Sequence, residues 1–167
     1  MAALRIARVV LHAADLEAQR TFYAETLGLP VDVEGGRITI HTGQSELVFL
    51  RADPGTEPRY HFAFEIPCNR FEDAIAWIRG RAELLRDSET GADRLHFRRW
   101  YASACYLHDP AGNVVELIAR LSAQTSSDAP FGSKSILGIS EIGLPVGVER
   151  EADVDRAALA TMLDFPW

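Results

Sequence analysis

Cysteine is nearly missing from this chain of 167 residues: Cys68 and Cys105 stand far apart, without the C-x-x-C spacing of a redox or zinc motif. A disulfide framework is therefore excluded as the organising principle. A reduced, cytoplasmic protein with two partly buried thiols is expected instead. No apolar run reaches the roughly 18–20 residues that a bilayer-spanning helix needs, so no membrane association is expected. The N-terminal stretch lacks the clean apolar segment and small-residue cleavage site of a signal peptide. Positive charge is in deficit, with 17 Lys and Arg against 24 Asp and Glu and a net charge of -7. That balance argues against the clustered basic footprint of a nucleic-acid binder. The one basic spot, Arg94 to Arg99, reads as a solvated strand edge.

What the chain does have is strand and helix patterning with clear punctuation. Residues 5–13 (RIARVVLHA) are β-branched and predict a strand. Asp15 stands where a helix N-cap belongs, residues 16–27 suit an amphipathic helix, and Gly28 and Pro30 stop it. Three short strands follow at 31–34, 37–42 and 46–51, with Gly35-Gly36 as a hairpin signal between the first two. A linker with Asp53-Pro54-Gly55 comes next. The pattern then starts again with a strand over 60–67, a cap at Asn69, a helix over 71–79 and strands at 95–98, 103–107 and 114–119.

Aligning Arg8-Val9-Val10-Leu11-His12-Ala13 with His61-Phe62-Ala63-Phe64-Glu65-Ile66 matches apolar residues at alternate positions, with an offset of 53 residues. A third copy of the opening strand begins at Glu141, followed by a helical stretch over 154–163. The expected organisation is a first module over 1–52, a second over 60–121, and a partial third over 136–167. The apolar residues at 163–167 are expected to make a dimer contact or mark a truncated module.

Two segments carry a resemblance. Asp15…Phe22-Tyr23…Leu27-Gly28-Leu29 and Asp109-Pro110-Ala111-Gly112-Asn113-Val114-Val115-Glu116 resemble the first-helix and last-strand signatures of the vicinal oxygen chelate superfamily. That superfamily holds glyoxalase I, extradiol dioxygenases, and bleomycin- or fosfomycin-resistance proteins. The resemblance covers 5–120 and, in part, 136–163. It implies an α+β fold of paired βαβββ modules, whose curved mixed sheets surround a central cavity. It also implies a divalent metal (Fe, Mn, Ni or Zn) held by His and Glu from the first and last strands of each module, acting as a Lewis acid on a small oxygenated substrate.

Strand alternation tests that implication residue by residue. His61 and Glu116 fall at ligand positions of the second module and are the metal candidates. Glu116, flanked by apolar residues, is also a catalytic candidate, because an unpaired buried carboxylate is costly. In the first module the equivalent positions are Arg8, which cannot ligate a metal, and Val48. Arg8 is expected either to pair with Glu116 or to bind a ligand anion. His12 is a secondary candidate for an acid–base role. His41 is placed at the rim, and His96, Trp100 and Tyr101 at the cavity mouth, as ligand-binding candidates. The expected function is a metal-dependent lyase or ring-cleavage oxygenase with an incomplete site. The alternative is a non-catalytic small-molecule binder of the bleomycin-resistance type, and either is expected to be a homodimer.

Overall fold

Turn chemistry and alternation set the element boundaries in the computed structural model, which describes residues 5–143. β1 (Arg8–Ala13) leads into α1 (Leu16–Thr21), which runs directly into a π-helical turn over Phe22–Thr26. β2 (Val31–Glu34), β3 (Arg37–Thr42) and β4 (Ser45–Arg51) complete the first half. The second half repeats the order with β5 (His61–Ile66), α2 (Phe71–Arg79), β6 (Leu95–Phe97), β7 (Ala102–His108) and β8 (Val114–Arg120). β9 (Gly138–Gly143) follows a linker. The helix expected over 154–163 lies outside the described residues, as does the expected strand beyond Gly143. No helix among the described residues is long and apolar enough to cross a membrane.

Two local expectations are corrected. The helix over 16–27 does not stay α-helical. Asp15 caps it as expected, accepting from the Ala18 amide at 2.9 Å, but the Leu27 amide donates five residues back to the Phe22 carbonyl. The widened turn holds Tyr23 fully buried. Asn69 does not cap α2. Its amide is engaged by the linker, donating to the Ser127 carbonyl at 3.1 Å and accepting from the Ser127 amide at 3.0 Å.

The first sheet has the order β1-β4-β3-β2 and the second β6-β7-β8-β5-β9. The pairs β1–β4 and β5–β8 are parallel, and β9 runs antiparallel to β5 along its other edge. Alternation sends Val9, Leu11 and Ala13 of β1, and Phe62, Phe64 and Ile66 of β5, into one shared core with Tyr23, Phe49, Phe71 and Ile75. Both sheets thus bury their helix-bearing faces together. Odd-numbered residues of β5 and even-numbered residues of β1 and β8 lie on the opposite faces. On the second sheet that opposite face carries a small apolar cluster of Ala63, Ala102, Ala104, Tyr106, Val114 and Ile118.

The β3–β4 turn fastens β9 to the first sheet. Gln44 donates from its amide to the Leu137 carbonyl at 3.0 Å. The Ser45 hydroxyl donates to the Ile6 carbonyl at 2.6 Å and accepts from the Ile139 amide at 2.9 Å. Gly43 makes this approach possible: its φ is +55°, and a Cβ there would fall 2.2 Å from the Leu137 carbonyl oxygen.

Candidate functional site

The parallel pairing of β5 with β8 sets His61 opposite Val114 and Ala63 opposite Glu116. His61 and Glu116 are therefore diagonal neighbours on the outer face of the second sheet. The His61 Nε2 lies 2.9 Å from Glu116 Oε2. Glu116 is 3 % exposed and is buried in this pairing rather than left alone. Its second partner is Tyr106, directly opposite on β7. The phenol donates to Glu116. Burial first, and the neighbouring Glu116 charge second, push it far above its usual range, so it stays protonated. Cys105, on the core face, is pushed up to about 12 by burial and then by Glu116, which makes it an inert thiol.

Four residues further along the strands, Arg120 of β8 donates to Glu65 of β5 and to Glu141 of β9. One guanidinium thus ties three strands. Burial raises the Glu65 carboxyl even though Arg120 draws it down.

The first-module candidates lie elsewhere. Arg8 does not meet Glu116; it stands opposite Glu46 and donates to it from Nε at 2.7 Å. The reason is the shared core, which turns the ligand-position faces of both sheets outward instead of toward each other. His41 bonds Asp32 through Nε2 at 2.8 Å, with Nδ1 4.0 Å from Glu46. Arg8 and His41 line one shallow recess of about 530 Å³. His12 is exposed on the same face, and its backbone amide donates to the Tyr60 hydroxyl at 3.3 Å. No hydrogen bond or ion pair among the described residues joins Arg8, His12 or His41 to His61 or Glu116.

The expected cavity mouth also divides. His96 turns to the helix-bearing face, with Nδ1 2.8 Å from the Ser103 hydroxyl and its ring against Phe71. On β6, Leu95 and Phe97 take the outer face and His96 alternates away from it. Trp100 is 55 % exposed and packs on Phe97 at 5.3 Å between ring centroids, at the rim of the outer-face cluster.

Tyr106, Arg120 and the role of Asp109 were not among the residues expected from sequence. The buried Asp109 carboxylate accepts five hydrogen bonds. Three come from its own turn, the amides of Ala111 and Asn113 and the Asn113 side chain, at 2.9, 3.0 and 2.8 Å. Two come from the first helix, from Gln19 at 3.0 Å and the Tyr23 hydroxyl at 2.9 Å. Asn113 in turn accepts from the Tyr60 amide at 2.8 Å. The helix signature and the last-strand signature are two halves of one lock. Burial raises the Asp109 carboxyl, and its hydrogen-bond donors pull it back.

The sequence profile of the glyoxalase-like domain matches residues 8–118, more than half of the chain. The chain belongs to the glyoxalase-like domain family. Solved structures agree on the fold. An integron cassette protein from the Halifax Harbour sewage outfall metagenome is similar with a TM-score of 0.59 at 16% identity, covering 69% of this chain and 97% of that one. Lactoylglutathione lyase from Agrobacterium tumefaciens gives 0.55 at 20% identity, covering 69% and 92%. A glyoxalase/bleomycin resistance protein/dioxygenase from Nocardioides gives 0.55 at 20% identity, covering 77% and 91%. No curated protein sequence matches the chain.

The donor set can be tested against the divalent metal that the resemblance implies. His61 Nε2 and Glu116 Oε2 stand close enough to share an ion. Metal sites of this kind draw on three or more protein donors. Among the described residues no group of three His, Cys, Asp or Glu side chains is placed to hold a metal ion. At the register that pairs Ala63 with Glu116, the first sheet pairs Val10 with Val48. The described residues therefore do not fit a resident divalent ion.

Proposed function

We propose that this glyoxalase-like protein is a small-molecule binder of the bleomycin-resistance type, acting as a cytoplasmic homodimer. It holds an oxygenated organic molecule at the His61–Glu116 face without a resident metal. The observation that carries this reading is the commitment of Glu116 to His61 and Tyr106, with Arg8 and Val48 where further donors would be needed. The polar pair sits in an apolar surround of Ala63, Val114 and Ile118, the usual make-up of a small-molecule site. Dimerisation would cover the outer face of the first sheet, where Val10 is 50 % exposed between Arg8 and His12. The two free thiols suit a reducing compartment.

Native mass spectrometry of untagged protein tests metal content and assembly together. The expected spectrum is a metal-free dimer whose melting temperature ignores chelator and added Mn, Fe, Ni or Zn. About one metal per chain, lost in His61→Ala, would overturn the reading and restore a metal-dependent lyase or ring-cleavage oxygenase.

A further inference from the structure

We propose a second binding site in this chain, in the hollow between the linker over 57–60 and the β7–β8 turn, for an α-amino acid with an apolar side chain. It goes beyond the reading above. Neither His61 nor Glu116 lines this hollow, and Val114 is the member of their apolar surround that borders both.

The hollow measures about 730 Å³, within the range of roughly 300–1,000 Å³ that small-molecule sites occupy. Its walls come from three stretches of chain: Ala14 and Asp15 ahead of α1, the linker over 57–60, and the turn that follows His108. The Asp109 lock holds the first and third of these together through Gln19 and Tyr23.

Arg59 is the cation of this hollow, and its place is set by its neighbours. The Tyr60 amide donates to Asn113 Oδ1 at 2.8 Å, and the Tyr60 carbonyl accepts from the Val114 amide at 2.8 Å. The Arg59 side chain lies on Gly112, where a Cβ would fall 3.3 Å from Nε and 3.5 Å from Cζ. Arg59 makes no hydrogen bond or ion pair with any described residue, although Asp15 and Glu57 line the same hollow. A guanidinium keeps its charge and offers five donors in a fork that matches a carboxylate.

The acidic groups select against a simple anion. Glu57 has no hydrogen bond or ion pair among the described residues, and Asp15 spends one oxygen on the Ala18 amide. Asp109 is occupied by its five donors, and His108 Nδ1 lies 3.4 Å from the Asn113 carbonyl. A ligand with a negative charge alone would face Glu57 and Asp15, and an amine alone would face Arg59. A molecule that carries both charges gives its carboxylate to Arg59 and its ammonium to Glu57. Ala14, Pro58, Pro110 and Ala111 supply an apolar wall for its side chain.

Three probes separate these contributions in titration calorimetry and methyl NMR of the full chain: L-phenylalanine, phenethylamine, which lacks the carboxylate, and 3-phenylpropanoate, which lacks the ammonium. Phenylalanine should bind about tenfold tighter than either, the equivalent of one charge-assisted hydrogen bond. It should move the methyl signals of Ala14 and Ala111 and leave those of Ala63 and Ile118 in place. Arg59 and Glu57 are exposed, so their replacement spares the core. Arg59→Gln should abolish the advantage over phenethylamine, and Glu57→Gln the advantage over 3-phenylpropanoate. No binding, equal affinities for the three probes, or an advantage that survives Arg59→Gln would overturn the proposal. Shifts at Ala63 and Ile118 in place of Ala14 and Ala111 would overturn it too, by moving the probe to the His61–Glu116 face.

Discussion

Asp109 joins the two halves of the chain through two oxygen atoms. Its partners Gln19 and Tyr23 are 90 and 86 residues away in sequence, and all are buried. Removing the acceptor leaves the Tyr23 hydroxyl, the Gln19 amide and the Asn113 groups desolvated and unpaired. Asp109→Ala should lower unfolding free energy by about 3 kcal/mol, read as a drop in the urea midpoint at unchanged slope. Both signatures were legible in the sequence, but their meeting was not, because alternation and turn residues report only local geometry. Tyr106 was within reach. The turn at Asp109-Pro110-Ala111-Gly112-Asn113 pairs His108 with Val114, and stepping two residues outward on each strand pairs Tyr106 with Glu116. Arg8 was not within reach in that way. Which way each sheet's face turns depends on how the two modules pack.

Among the elements, strands and α2 were the easiest to read. The boundaries at Val31–Glu34, Arg37–Thr42 and Phe71–Arg79 match those expected, because glycines or apolar periodicity mark each end. The π-helical turn at Phe22–Thr26 was not legible, since five residues are too few to show a departure from the 3.6 period. β9 begins three residues earlier than expected, at Gly138 in place of Glu141, where Ile139 meets Ser45. That docking depends on Gly43. Gly43→Ala adds a methyl inside the contact distance of the Leu137 carbonyl and strains a positive φ. It should cost about 2 kcal/mol or more and speed amide exchange at Gln44, Leu137 and Ile139 ahead of the sheet centres. Uniform exchange across both sheets would show instead that β9 unfolds only with the whole protein.

For the whole molecule, buried and paired carboxylates pull stability in opposite directions as pH changes. Asp93 is held below its usual range first by the Arg79 hydrogen bond and then by Arg94. A folded value below the unfolded one gives a stabilisation that is complete above about pH 4 and is lost as pH falls through the lowered value. Glu65 and Asp109 are raised by burial. Their folded forms hold protons longer than the unfolded chain, so their contribution is full at low pH and declines as pH rises through the raised values. Asp93→Asn should flatten the acid limb of the melting-temperature profile below about pH 4. Glu65→Gln should gain on the parent protein as pH rises past that point. β9 has one more consequence, for solubility. The strand β5, His61–Ile66, is apolar on every second residue and flanked by β8 on one side. β9 occupies the other side, so the row of backbone donors and acceptors along β5 is never offered to a neighbouring molecule. A chain whose β9 came loose would keep its core and lose its guard against edge-to-edge aggregation.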